Sequence, residues 1–138
     1  MTVRSFVDTN VWVYAVDDGD REKQARARAI LRPTPETDVV VSAQVLGEFY
    51  VTVRRKFAEA LPESDAVAMV ERMSRLPVVP IDASLVGAAI AGSRAWQLSY
   101  WDALIIAAAE TSGCERILSE DLSHGAVFAS VRVENPFL

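Results

Sequence analysis

The 138-residue chain is poor in the groups that build disulfides, thiol chemistry or soft-metal sites. It has one cysteine, Cys114, and one histidine, His124. A single cysteine forms no internal disulfide, and without a histidine pattern to activate it Cys114 reads as a small buried apolar residue. Long apolar runs are also missing. The longest, Ala103–Ala109, falls far short of the roughly 20 residues of a membrane-spanning helix. Arg4 is not followed by the apolar stretch of a signal peptide, so a cytoplasmic protein with no membrane role is expected. Neither a Walker loop nor a Gly-x-Gly-x-x-Gly fingerprint occurs. Positive charge is not in excess either. Fourteen basic residues face 19 acidic ones, for a net charge of −5, which excludes a purely electrostatic nucleic-acid binder.

What remains is an ordinary globular composition with 51% hydrophobic residues. Residues 1–138 are expected to form one domain, because two would each be too small for a core. Val3–Val7 reads as a strand, with a short helix following from Asn10. Asp20 caps a charged helix over Arg21–Leu31, which stops before Pro33. Val39–Val41 has the continuous apolar character of a buried parallel strand. Ser42 caps a long helix through about Phe57, and Glu63–Arg75 is a further amphipathic helix. Val78–Pro80 is a minor strand or extended link. Asp82 caps a small-residue helix to Trp96, and Ser99 caps a last helix closed by Gly113 as a left-handed residue. Arg116–Leu118 and Val131–Val133 read as the final strands. This alternation predicts an α/β fold, a parallel sheet covered by helices on both faces, with reactive groups at the carboxyl ends of the strands.

Several acids lie just past predicted strands. Asp8 follows Phe6-Val7 and suits either a cation ligand or a helix cap. Glu48 falls roughly opposite the apolar stripe of its helix, where a solvated glutamate is the ordinary expectation. Gln44 shares its face, and Gly47 costs the helix about 1 kcal/mol relative to alanine, as though another backbone or a ligand approached there. Asp102, three residues after Ser99, suits a capping box and the positive end of a helix dipole. Glu120 and Asp121 follow Ile117-Leu118. Gathered together, such carboxylates repel by about 3 kcal/mol per pair at 5 Å and an effective dielectric of 20. A cation offsets that cost, and oxygen-only ligands select hard ions such as Mg²⁺ or Mn²⁺, which suit phosphodiester hydrolysis.

Four segments, Val7-Asp8-Thr9-Asn10, Ser42-Ala43-Gln44-Val45-Leu46-Gly47-Glu48-Phe49, Tyr100-Trp101-Asp102-Ala103-Leu104-Ile105 and Leu118-Ser119-Glu120-Asp121-Leu122, resemble PIN-domain ribonucleases of the VapC toxin type. The resemblance spans essentially the whole chain. It implies a Rossmann-like sheet and Mg²⁺- or Mn²⁺-dependent endonucleolytic RNA cleavage. It also implies frequent homodimers and inhibition by a small antitoxin protein whose tail enters the site. It assigns the catalytic and metal-binding acids as Asp8, Glu48, Asp102 and Asp121, with Thr9 and Ser119 as hydroxyl residues beside them. Asn10 is a possible supporting residue, and Glu120 could substitute for Asp121 or merely flank it.

Rival readings use the same acids differently. A non-catalytic Mg²⁺-binding receiver or nucleotide-binding module would share the doubly wound fold, but a receiver wants a lysine after a late strand, and no lysine follows Lys56. An aspartyl-phosphate phosphatase normally has aspartate where Asn10 stands. Arg54-Arg55-Lys56 is read first as a dipole-complementing helix end and second as a phosphate grip. Arg21, Lys23, Arg26, Arg28 and Arg32 read as a solvated face. Trp12, Trp96 and Trp101 read first as packed rings. The Ala88, Gly92 and Ala95 row suits close helix packing, inside the fold or across a dimer. His124 is expected to be exposed and structural.

Overall fold

The computed structural model describes residues 2–138. In chain order its elements are β1 (Val3–Val7), α1 (Thr9–Tyr14), α2 (Arg21–Leu31), β2 (Thr37–Ser42), α3 (Ala43–Lys56) and α4 (Glu63–Met73). They continue with β3 (Val78–Val79), α5 (Ala83–Trp96), α6 (Tyr100–Thr111), β4 (Arg116–Leu118), β5 (Val127–Phe128) and β6 (Val131–Glu134). Helix starts follow the side chains that can cap them. Asp20, Ser42, Asp82 and Ser99 accept from the backbone N–H three residues on, at 3.1, 3.3, 2.8 and 3.1 Å. Gly113, at φ +74°, follows α6 in the left-handed conformation that a glycine adopts without steric cost.

The strands form one six-stranded sheet in the order β3-β2-β1-β4-β6-β5. All neighbours are parallel except β5, which runs antiparallel to β6. The parallel prediction therefore holds for five strands and needs one correction. β5 was not anticipated, and it returns to β6 through Ala129 at φ 54°. α4 also ends two residues before the predicted Arg75.

Two apolar layers sandwich the sheet. On one side Phe6, Val40, Ile117 and Val133 meet Phe49, Val53, Leu85, Leu104 and Ile106. On the other, Val7 and Leu118 meet Ala27 of α2, with Val11 beneath. Every residue from Ala103 to Ala109 of α6 is buried, as its uniformly apolar sequence requires. Gly92 serves its own helix, since a β-carbon there would overlap the Trp96 ring. Ala88 and Ala95 of the same row are exposed. Among the described residues no helix is long and apolar enough to cross a membrane.

Candidate active site

β1 lies between β2 and β4: after β1 the chain steps outward through β2 and β3, then returns across the sheet to β4 on the other side of β1, reversing the strand order. A crevice opens at the carboxyl ends of strands where such a reversal occurs. Asp8 and Ser119 stand there, directly after β1 and β4, and Asp8 N–H continues the ladder to Leu118 O at 3.0 Å.

Asp8 is buried and caps α1 at the same time. Its Oδ1 accepts from Thr9 N–H at 2.8 Å and its Oδ2 from the Ser119 hydroxyl at 2.8 Å. Burial raises the carboxyl pKa from 3.8 to about 6 against those two hydrogen bonds, with help from the charges of Asp121 and Glu48. Glu48 projects from the exposed side of α3. Partial burial raises its proton affinity, as do the charges of Asp102 and Asp121, while the Thr9 hydroxyl and Gln44 side chain oppose the rise. The Thr9 hydroxyl donates to Glu48 Oε1 at 3.4 Å. Asp102 sits in the first turn of α6, its N–H fixed by Ser99. The fold thus brings Asp8, Glu48 and Asp121 within electrostatic reach of one another, and Asp102 within reach of Glu48.

Asn10 stands between two of them. Its Nδ2 is 3.4 Å from Asp8 Oδ2, 3.2 Å from Asp121 Oδ2 and 3.4 Å from Ser119 Oγ. Its Oδ1 accepts Glu120 N–H at 3.1 Å. The strand-exit loop is tied further by Asp121 N–H to Ser119 Oγ at 3.1 Å. Glu120 points elsewhere. Its Oε2 pairs with Lys23 Nζ at 2.6 Å and its Oε1 accepts the Tyr14 hydroxyl at 2.7 Å. Burial pushes its pKa up, but these two partners outweigh that and lower it overall. Lys23 also lies 4.7 Å from the Tyr14 ring centroid. Lys23 is half-buried by these contacts, whereas Arg21, Arg26, Arg28 and Arg32 lie on the exposed face expected of them, with Arg26 and Arg28 donating to backbone carbonyls there.

Gln44 is the residue whose importance the sequence understated. It is buried, and its Nε2 donates to Trp101 O at 3.2 Å, joining the helices that carry Glu48 and Asp102. Its Oε1 is buried with no hydrogen-bond partner among the described residues. Gly47 needs a correction. A β-carbon there would meet nothing within 4 Å, so no protein backbone approaches. Gly47 instead lines a cleft of about 820 Å³ with Thr9, Asn10, Glu48, Glu120 and Asp121, extending along α3 to Arg55 and Lys56. Trp101 also departs from expectation, because the residue is 63% exposed, its ring edge-packed on Tyr100. His124 is exposed and structural as expected, accepting Asn135 N–H at Nδ1. A second cavity of about 600 Å³ is lined by Arg116, Arg132 and Glu134, but these charges are consumed in mutual ion pairs and none of the four clustered acids lines it.

Oxygen donors alone line the acid cluster, a chemistry that fits a hard divalent cation and disfavours a soft one. The buried, proton-hungry Asp8 carboxylate and the orphaned Gln44 Oε1 beside Glu48 fit such an ion. Among the described residues no three Asp, Glu, His or Cys side chains stand in ligating geometry about one point. Protein donors, the Asn10 amide and the Thr9 hydroxyl, bridge the acids in this arrangement.

Comparison with known proteins gives the same outline. The family model described as PIN domain matches residues 5–127. No curated protein matches the sequence. Among solved structures, Mycobacterium tuberculosis VapC20, a sarcin-ricin loop cleaving toxin, is 26% identical with a TM-score of 0.64, covering 93% of this chain and 98% of its own. A chain of a Klebsiella pneumoniae toxin–antitoxin complex is 17% identical with a TM-score of 0.70, over 96% of this chain and 97% of that one. FitAcB from Neisseria gonorrhoeae is 24% identical with a TM-score of 0.64, over 96% and 98%. The chain belongs to the PIN-domain family, and its structural neighbours are toxins of the VapC type.

Proposed function

We propose that this protein is a metal-dependent endoribonuclease and the toxin of a toxin–antitoxin pair. The observation that supports the reading is Asp8, buried at the sheet's switch point with its pKa raised to about 6 and within electrostatic reach of Glu48 and Asp121, while Asp102 stands within reach of Glu48. Those four carboxylates would hold Mg²⁺ or Mn²⁺. When bound, the ion supplies an activated water and neutralises charge on the phosphodiester in the transition state.

The chain's own groups prepare the site. Thr9 N–H and the Ser119 hydroxyl fix the rotamer of Asp8, so its carboxylate needs little reorganisation. The Asn10 amide and the Ser119 hydroxyl position Asp121, and the Thr9 hydroxyl restrains Glu48. Lys23 and Tyr14 draw Glu120 out of the cluster, which leaves Asp121 as the acid after β4. Unopposed negative charge in the cleft suits arginine or lysine from an antitoxin tail as inhibitor. A cytoplasmic location and a homodimer belong to the same reading.

The test is incubation of purified, antitoxin-free protein with structured RNAs in Mn²⁺ and in EDTA. Cleavage in Mn²⁺ alone is expected, together with growth arrest on expression that the adjacent small open reading frame relieves. Absence of cleavage by folded, Mn²⁺-loaded protein on every RNA tried would reject the nuclease reading.

A further inference from the structure

We infer that Arg55 and Lys56 grip the backbone phosphates of a bound RNA strand, downstream along the cleft from the carboxylates. The inference rests on the ribonuclease reading and adds a binding subsite to it. Arg54, Arg55 and Lys56 all end α3, so the helix dipole favours the three alike. The structure separates them. Arg54 Nη1 donates to Leu61 O at 3.2 Å and ties α3 to the following loop. Arg55 and Lys56 are exposed, line the cleft that holds Glu48 and Asp121, and make no hydrogen bond or ion pair among the described residues.

Helix geometry sets the reach. Arg55 follows Glu48 by two turns and so lies on the same face, about 10 Å further along the axis, with Lys56 at about 12 Å. That exceeds ion-pair distance and is close to the Debye length at physiological salt, so these cations do not neutralise the acids. At about 3.4 Å of rise per stacked nucleotide, the separation corresponds to roughly three nucleotides. Thr52 lines the wall between the two charged ends and carries no charge of its own. One cleft thus offers an anionic end, which needs a cation to accept a phosphate, and a cationic end, which accepts one directly. A polyanionic strand matches both. The protein's net charge of −5 makes local cations the means of holding it.

The test uses Asp8→Asn as parent, to prevent cleavage, with a short fluorescein-labelled single-stranded RNA as probe. Anisotropy gives Kd across a salt series. Each phosphate contact on a single strand contributes about 0.7 to the slope of log Kd against log salt. Arg55→Ala and Lys56→Ala should each lower that slope by about 0.7, and the double variant by about 1.4. Arg55→Lys should restore it, whereas Arg54→Ala should lower Tm and keep the slope. Unchanged slopes in the first two variants, with or without a fall in Tm, would reduce both residues to dipole partners and overturn the grip. A parent that binds no RNA at low salt would overturn it as well. Wild-type cleavage with unaltered slopes would leave the nuclease reading standing without the grip. Slope losses of the expected size without Mn²⁺-dependent cleavage would support the grip and reject the nuclease.

Discussion

Asp8→Asn in metal-free protein should reverse the sign of its effect on stability as pH rises. Burial moves the Asp8 carboxyl from 3.8 to about 6, against the Ser119 and Thr9 hydrogen bonds and with the charges of Asp121 and Glu48. The folded state therefore binds this proton more tightly than the unfolded chain does. Stability associated with the group is fully present below about pH 4 and is lost as pH rises through about 6. At about 1.4 kcal/mol per tenfold change in proton affinity, the ionised group costs the metal-free fold about 3 kcal/mol at neutral pH. The asparagine avoids that cost. It has one carbonyl oxygen to offer where the carboxylate serves two donors, Thr9 N–H and the Ser119 hydroxyl, so it forfeits about 1 kcal/mol. The variant should be more stable than wild type by roughly 2 kcal/mol above about pH 7, with the advantage vanishing near pH 4 to 5. Urea denaturation in EDTA across this range measures the difference, and comparison of the two proteins cancels the other titrating groups. Parallel stability curves would refute the argument that Asp8 is a buried charge awaiting a counter-ion.

Added Mn²⁺ should raise the Tm of wild type by mass action and leave Asp8→Asn nearly unmoved in thermal melts; an equal shift in both would argue against a site shared by Asp8. Asp121→Asn should weaken Mn²⁺ binding and RNA cleavage severely, whereas Glu120→Gln, which touches only the Lys23 and Tyr14 contacts, should change either by a few-fold; paired kinetics with the reverse ranking would transfer the role to Glu120. Gly47→Ala should stabilise the protein by about 0.5–1 kcal/mol, because the helix gains propensity and the new methyl meets open cleft; a lower stability in urea titration would contradict that.

Local chemistry made much of this molecule legible from sequence. Asp20, Ser42, Asp82 and Ser99 cap as their short oxygen-bearing side chains dictate, and the apolar runs of β1 and β4 place Asp8 and Ser119 at the sheet edge. What escaped was tertiary. β5 has two residues, held by pairing with β6 rather than by any pattern of its own. Lys23 finds Glu120 across 97 positions, which no helical period reveals. Trp101 sits on a helix that is apolar all round, so periodicity does not distinguish its exposed ring from the buried residues after it. Gly47 and Arg55 read as an anomaly and a helix end, and only the cleft joins them.

The most direct test of the account is RNA cleavage by wild type and Asp8→Asn, each freed of antitoxin and assayed in Mn²⁺ and in excess EDTA. Cleavage is expected from wild type in Mn²⁺ alone, with the variant folded by circular dichroism and inactive. Cleavage by a clean Asp8→Asn preparation, or undiminished wild-type cleavage in EDTA, would contradict it.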